Sequence, residues 1–108
     1  MVTNKSEPLA RKLLGELGLL DRFACVIGAG SGYALKPAPD ALHAMVERCG
    51  GGAAAYVGDT TFDTRAAQAA GLPCVAVSFG FNDVPADELG ASAVIAHFDD
   101  LLAALARL

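Results

Sequence analysis

The chain has 108 residues and a formal net charge of −4, from 8 Lys and Arg against 12 Asp and Glu, and 54% of its residues are hydrophobic. Duplex nucleic acid is excluded as the expected partner, because affinity there rests on many basic groups neutralising phosphates. A disordered tail is excluded too: this much apolar surface offsets the entropy of ordering, and the length suits a single domain, 1–108, with a real core.

No apolar run approaches the roughly 18 to 20 residues that cross a bilayer, and the N-terminus shows no secretion signal, so a cytoplasmic protein with no membrane partner is expected. Cys25, Cys49 and Cys74 are odd in number and form no CxxC pair. They read as reduced, partly buried thiols and not as a disulfide framework or a zinc site.

In chain order, residues 1–4 read as the closing residues of a strand, too short to stand alone. Ser6 then precedes Glu7 and Pro8, a side-chain cap followed by residues suited to a first helical turn. Leu9, Leu13, Leu14 and Leu17 give that helix an apolar stripe, and Gly18 stops it. Residues 23–27 are nearly continuous in apolar side chains, the pattern of a strand covered on both faces. A second helix carries Leu42, Met45, Val46 and Cys49 on one face and stops at Gly50. Residues 54–57 and 74–78 are further buried strands, and between them Ala66, Ala67, Ala69 and Ala70 make a slim helix that stops at Gly71. A shorter strand at 93–96 is followed by a last helix with Phe98, Leu101, Leu102, Leu105 and Leu108 on one stripe. Strands alternating with amphipathic helices define an α/β domain built on a parallel sheet, with helices on both faces.

Three groups of residues fall at the ends of these strands. Asp59 and Asp63 follow the strand at 54–57, at the sheet edge where ligands of parallel α/β folds bind, and two carboxylates four residues apart suit a hard divalent cation such as magnesium. Asp63 equally suits the positive end of its own helix. Lys36 stands in Lys36-Pro37-Ala38-Pro39, a stiffened loop that presents an ammonium, as a compact charge, to a phosphate or a carboxylate. Thr3 and Asn4 precede a helix N-terminus, where a hydroxyl and a backbone N–H can donate to a phosphate oxygen or serve local capping.

The order Thr-Asn, Lys-Pro-x-Pro, Gly-Asp-x-x-x-Asp, each at the same point of its βα unit, resembles the second, third and fourth motifs of the haloacid dehalogenase superfamily. Residues 69–73 (Ala-Ala-Gly-Leu-Pro) and 78–82 (Ser-Phe-Gly-Phe-Asn) are most similar to its phosphoglycolate phosphatase branch, and the likeness runs through essentially the whole chain. It implies a three-layer Rossmann-like core. It also implies a phosphatase of small phosphorylated metabolites, 2-phosphoglycolate first among them, working with Mg2+ by covalent phosphoryl transfer. Thr3 and the Asn4 amide would hold the phosphate, Lys36 would neutralise charge on phosphate and nucleophile, and Asp59 with Asp63 would hold the metal.

Family members carry an Asp nucleophile and an Asp acid/base two residues on, at the end of a strand preceding everything seen here. The aspartates of this chain are Asp21, Asp40, Asp59, Asp63, Asp83, Asp87, Asp99 and Asp100, and no two are two residues apart. The resemblance therefore implies a core truncated at its N-terminus, without the helical cap that selects substrate, and inactive by itself. It also implies a gap between the strand ending at Thr3 and the one ending at Asp59, with three outcomes: the flanking strands close up and pair, another copy pairs with the open edge, or a separately supplied N-terminal segment completes the sheet, self-association being the one expected. A non-catalytic module that binds phosphate or magnesium, or only assembles, is the alternative. The loop 28–33 is not a dinucleotide fingerprint, since no helix begins after it. His43 and His97 lack a second ligand at metal spacing, and Asp83 and Asp87 read as a loop and a helix-start residue.

Overall fold

The computed structural model describes residues 1–108. Its strands are β1 (Val2–Ser6), β2 (Ile27–Ala29), β3 (Tyr56–Gly58), β4 (Cys74–Val77) and β5 (Ala93–Ile95), and its helices α1 (Glu7–Glu16), α2 (Asp40–Arg48), α3 (Thr61–Ala70) and α4 (Leu101–Ala106). All strand pairs are parallel, and they form two sheets: β1–β2, and β3–β4–β5. In the larger sheet Tyr56 lies opposite Cys74, and Val75 opposite Ala93.

Side-chain alternation along β4 makes the layers. Cys74 packs with Leu42 of α2 and with Ala66 and Ala67 of α3, whereas Val75 and Val77 pack with Ile95 and with Ala104 of α4. Successive residues of a strand point to opposite faces, so helices cover both sides of this sheet. A third cluster, Ala10, Leu14 and Val26, holds α1 to the smaller sheet.

Local signals act as the sequence suggests at several boundaries. The Leu9 N–H donates to Ser6 Oγ at the start of α1, and Gly71 ends α3 in the left-handed conformation at φ 73°. Elsewhere the structure corrects the sequence reading. The second strand does not run over 23–27. Residues Leu20–Arg22 form a 3-10 turn, Phe23 is exposed, and the strand begins only at Ile27. In α1 the buried positions are Ala10 and Leu14, while Leu9, Leu13 and Leu17 face outward, because a sheet of two strands offers room for only a narrow strip of helix. The last helix keeps Leu101 and Leu105 of its expected stripe against the sheet, but not Phe98 and Leu102. A 3-10 turn over Phe98–Asp100 delays its start, so that Ala104 is buried while Phe98 is 60% and Leu102 80% exposed. Phe98 instead meets Phe79 edge to face, with ring centroids 4.8 Å apart.

The two sheets do not close up into one ladder. β1 and β3 face each other across a cleft bridged by side chains: the Tyr56 hydroxyl donates to the Val2 carbonyl at 3.0 Å. The inner part of the cleft, about 280 Å³, is walled by apolar residues including Val2, Leu42, Met45, Val46 and Leu72.

Candidate functional site

At the C-terminal ends of β1 and β3 the same cleft opens into a polar space of about 530 Å³. Thr3, Asn4, Lys36, Asp59 and Asp63 all line it. Residues far apart in the chain meet here because each follows a strand of parallel direction, and parallel strands bring their C-terminal ends to one edge.

Lys36 is held at both ends. The Asn4 side chain clamps its backbone, Oδ1 accepting from the Lys36 N–H at 3.0 Å and Nδ2 donating to the Lys36 carbonyl at 3.0 Å. The ammonium donates to Asp63 Oδ1 at 2.6 Å, to the Tyr56 hydroxyl at 2.9 Å and weakly to the Val2 carbonyl at 3.4 Å. Only 9% of the Lys36 side chain and 7% of the Asp63 side chain remain exposed. Burial pulls the Lys36 pKa down, but the bonds to Asp63 and then Tyr56 outweigh it and hold the value above that of a free lysine. The ammonium is therefore permanently charged near neutral pH.

Asp63 is fully engaged. Its Oδ1 takes the lysine, and its Oδ2 accepts from the Asp59 N–H at 3.0 Å, the Thr60 N–H at 3.1 Å and the Thr60 hydroxyl at 3.1 Å. With Thr60 it forms a reciprocal capping box at the start of α3. Burial favours the neutral acid, yet these donors, Lys36 foremost, keep the Asp63 pKa below the ordinary carboxylate value. The approach depends on Gly58, since a Cβ there would lie 2.4 Å from Asp63 Cβ.

Asp59 is oriented differently. Its Oδ2 accepts from the Phe81 N–H at 2.8 Å, its carbonyl accepts from Asn82 Nδ2 at 2.7 Å, and Oδ1 is left for a ligand. Gly80 permits this packing, since a Cβ on it would stand 2.5 Å from Asp59 Cβ. Thr3 Oγ accepts from the Lys5 N–H at 3.1 Å, which leaves its own proton to donate.

The donor set bears on the expected metal. No three His, Cys, Asp or Glu side chains converge on one point, and Asp63 is occupied by its lysine and amide partners, so Asp59 is the carboxylate with a free oxygen. Magnesium bound through one or two carboxylates, with waters and phosphate oxygens completing its shell, is compatible with that supply.

Several functional neighbours were not read from the sequence. Asn82 bridges the Asp59 and Val77 carbonyls, at 2.7 and 3.0 Å. Asp83 accepts from both the N–H and the hydroxyl of Thr61. Their place just beyond β4, at the C-terminal edge of the parallel strands, was the available signal. The Tyr56 hydroxyl was also missed, although a phenol in an otherwise apolar strand always needs a partner. His43 and His97 lie elsewhere, contacting the Ala70 carbonyl and the Asp99 N–H.

The chain is thus a parallel α/β core that carries a buried lysine–carboxylate pair beside a half-free aspartate at the C-terminal edge of its strands. Residues 1–71 match the haloacid dehalogenase-like hydrolase family, and the chain belongs to it. It is 38% identical over 108 residues to a phosphoglycolate phosphatase of Yersinia pseudotuberculosis, covering 97% of this chain and 47% of that protein. It is 42% identical over 107 residues to one of Mesorhizobium japonicum, again covering 97% of this chain and 47% of the relative. Among solved structures, a conserved haloacid dehalogenase-like protein of Agrobacterium tumefaciens superposes with a TM-score of 0.87 at 27% identity, covering 98% of this chain and 52% of that one. The chain spans about half the length of the curated relatives it matches.

Proposed function

We propose that this cleft is the phosphate-holding half of a phosphomonoesterase site for small phosphorylated metabolites. The phosphoglycolate phosphatases among its relatives make 2-phosphoglycolate the substrate to test first. The observation that carries the reading is the meeting of Thr3, Asn4, Lys36, Asp59 and Asp63 in one space. Lys36 offsets phosphate charge, the Thr3 hydroxyl and the Asn4 N–H donate to phosphate oxygens, and Asp63 keeps the lysine charged and aimed. Asp59 offers Oδ1 to Mg2+, with Asp63 beside it, and the bound cation would supply charge neutralisation at the phosphate.

Turnover needs a nucleophile, and this cleft presents no second free carboxylate beside Asp59, so the chain alone binds and does not hydrolyse. Titration calorimetry with Mg2+ and inorganic phosphate tests the binding: heat in the parent chain, reduced by Lys36→Ala, supports it, and no heat in the parent removes it. Hydrolysis of 2-phosphoglycolate by the purified chain, abolished by Asp59→Asn, would overturn the inactivity.

The facing, unladdered edges of β1 and β3 favour a second role in assembly. A strand from another copy, or from a separately supplied N-terminal segment, would pair with both edges and cover the apolar wall between them. Self-association is the expected state of the purified chain, and a monomeric mass by light scattering at micromolar concentration would count against it.

A further inference from the structure

Tyr56 opens β3, a position at which a plain apolar side chain would fill the same space. Its hydroxyl reaches both sheets: it accepts from Lys36 Nζ at 2.9 Å and stands 3.0 Å from the Val2 carbonyl, with Asp63 Oδ1 at 3.4 Å. The phenol has a single proton. The Val2 carbonyl is the nearer acceptor and takes it, leaving the hydroxyl lone pairs to the ammonium.

The ammonium has three protons. One is held by Asp63 at 2.6 Å and one by Tyr56 at 2.9 Å, and the third meets only the Val2 carbonyl, at 3.4 Å, which Tyr56 already engages more closely. The ammonium stands 5.3 Å from the centre of the Tyr56 ring, on its hydroxyl side, so the phenol meets it through the oxygen. Two tight contacts determine where the loosely held proton points.

We propose that Tyr56 is a positioning residue for Lys36. It ties the ammonium to both sheets and leaves one proton available to an anion entering the cleft, an assignment that rests on the phosphate-binding reading above. Without the hydroxyl, Asp63 would be the sole strong anchor, and the ammonium would swing about that one bond.

Tyr56→Phe removes one oxygen and keeps the ring, and an amide spectrum matching the parent verifies that the variant is folded. Two measurements follow. The first is the 1H–15N resonance of the Lys36 ammonium, assigned by its loss in Lys36→Arg. In the parent it is expected to be sharp, because a held ammonium exchanges slowly with water, and in Tyr56→Phe it should broaden or vanish. The second is the Kd for inorganic phosphate, expected to rise about ten-fold, the low end of what a hydrogen bond to a charged group is worth.

A purely structural Tyr56 would lower the melting temperature and leave both readouts unchanged, and that result overturns the proposal. So does a parent chain whose Lys36 ammonium is already too mobile to observe. If the parent binds no phosphate, the phosphate reading fails while the ammonium resonance still decides Tyr56: broadening in Tyr56→Phe supports the positioning role, and no change rejects it.

Discussion

The Lys36–Asp63 pair makes an asymmetric prediction about stability. Removing one partner of a buried ion pair commonly costs about 3–5 kcal/mol, because the other charge is left in a poor solvent. The two residues, however, are not equally dependent on each other. In Lys36→Met, Asp63 keeps the Asp59 N–H, the Thr60 N–H and the Thr60 hydroxyl on Oδ2, and Oδ1 keeps only the Tyr56 hydroxyl at 3.4 Å. That loss should fall below the usual range, at about 2 kcal/mol. In Asp63→Ala the ammonium is left with a phenol and a distant carbonyl, which puts the charge penalty in the range of about 3–5 kcal/mol. The capping box of α3 is lost as well, adding about 1 kcal/mol. Asp63→Ala should therefore be the more damaging by about 2 kcal/mol or more. Urea unfolding of the two variants at neutral pH, compared by midpoint and slope, measures the difference. Equal losses, or a larger one for Lys36→Met, would refute the view that Asp63 is anchored independently of its lysine.

The same pair sets a pH dependence. Asp63 has a lowered pKa when folded, so its contribution is complete above the ordinary value of 3.8 and drains away as pH falls through the lower folded value. Lys36 has a raised one, so its contribution is complete below 10.5 and is lost as pH climbs through the higher folded value. Urea midpoints across the pH range should show a plateau between these limits, and an acid limb unchanged in Asp63→Asn would contradict the assignment. Gly28→Ala places a Cβ 2.6 Å from the Lys5 carbonyl and 2.8 Å from the Glu7 nitrogen. Both are backbone atoms that cannot yield as a side-chain end does, and the overpacking should cost about 1–3 kcal/mol, read from the same unfolding curves. Burial pushes the Cys74 thiol up to about 11, whereas Cys49 is exposed and Cys25 partly so. A thiol reagent should therefore modify Cys49 and Cys25 in the folded chain and reach Cys74 only after denaturation; early labelling of Cys74, seen by peptide mass, would show that β4 opens readily.

What the sequence determined by itself was local or topological. Ser6 at the head of α1 and Gly71 at the foot of α3 act through contacts within a few residues, so their roles are written in the chain. The meeting of Thr3, Lys36, Asp59 and Asp63 was legible for a different reason: each follows a strand, and parallel strands have one common C-terminal edge.

Tertiary structure alone decided which helix face is buried and who partners whom. Leu9 and Leu102 satisfy a helical stripe as well as Leu14 does, and only the width and angle of the sheet beneath choose Ala10, Leu14 and Ala104. Likewise, a carboxylate four residues beyond Asp59 suits a cation or a helix cap with equal ease. Asp63 is drawn to Lys36 and to the amides of α3 because the fold brings 27 residues of separation down to 2.6 Å in a space that little water enters. Hydrogen bonds across such separations depend on chain paths that no local pattern encodes, which is why Asn4 on the backbone of Lys36, and Tyr56 between two sheets, came into view only with the structure.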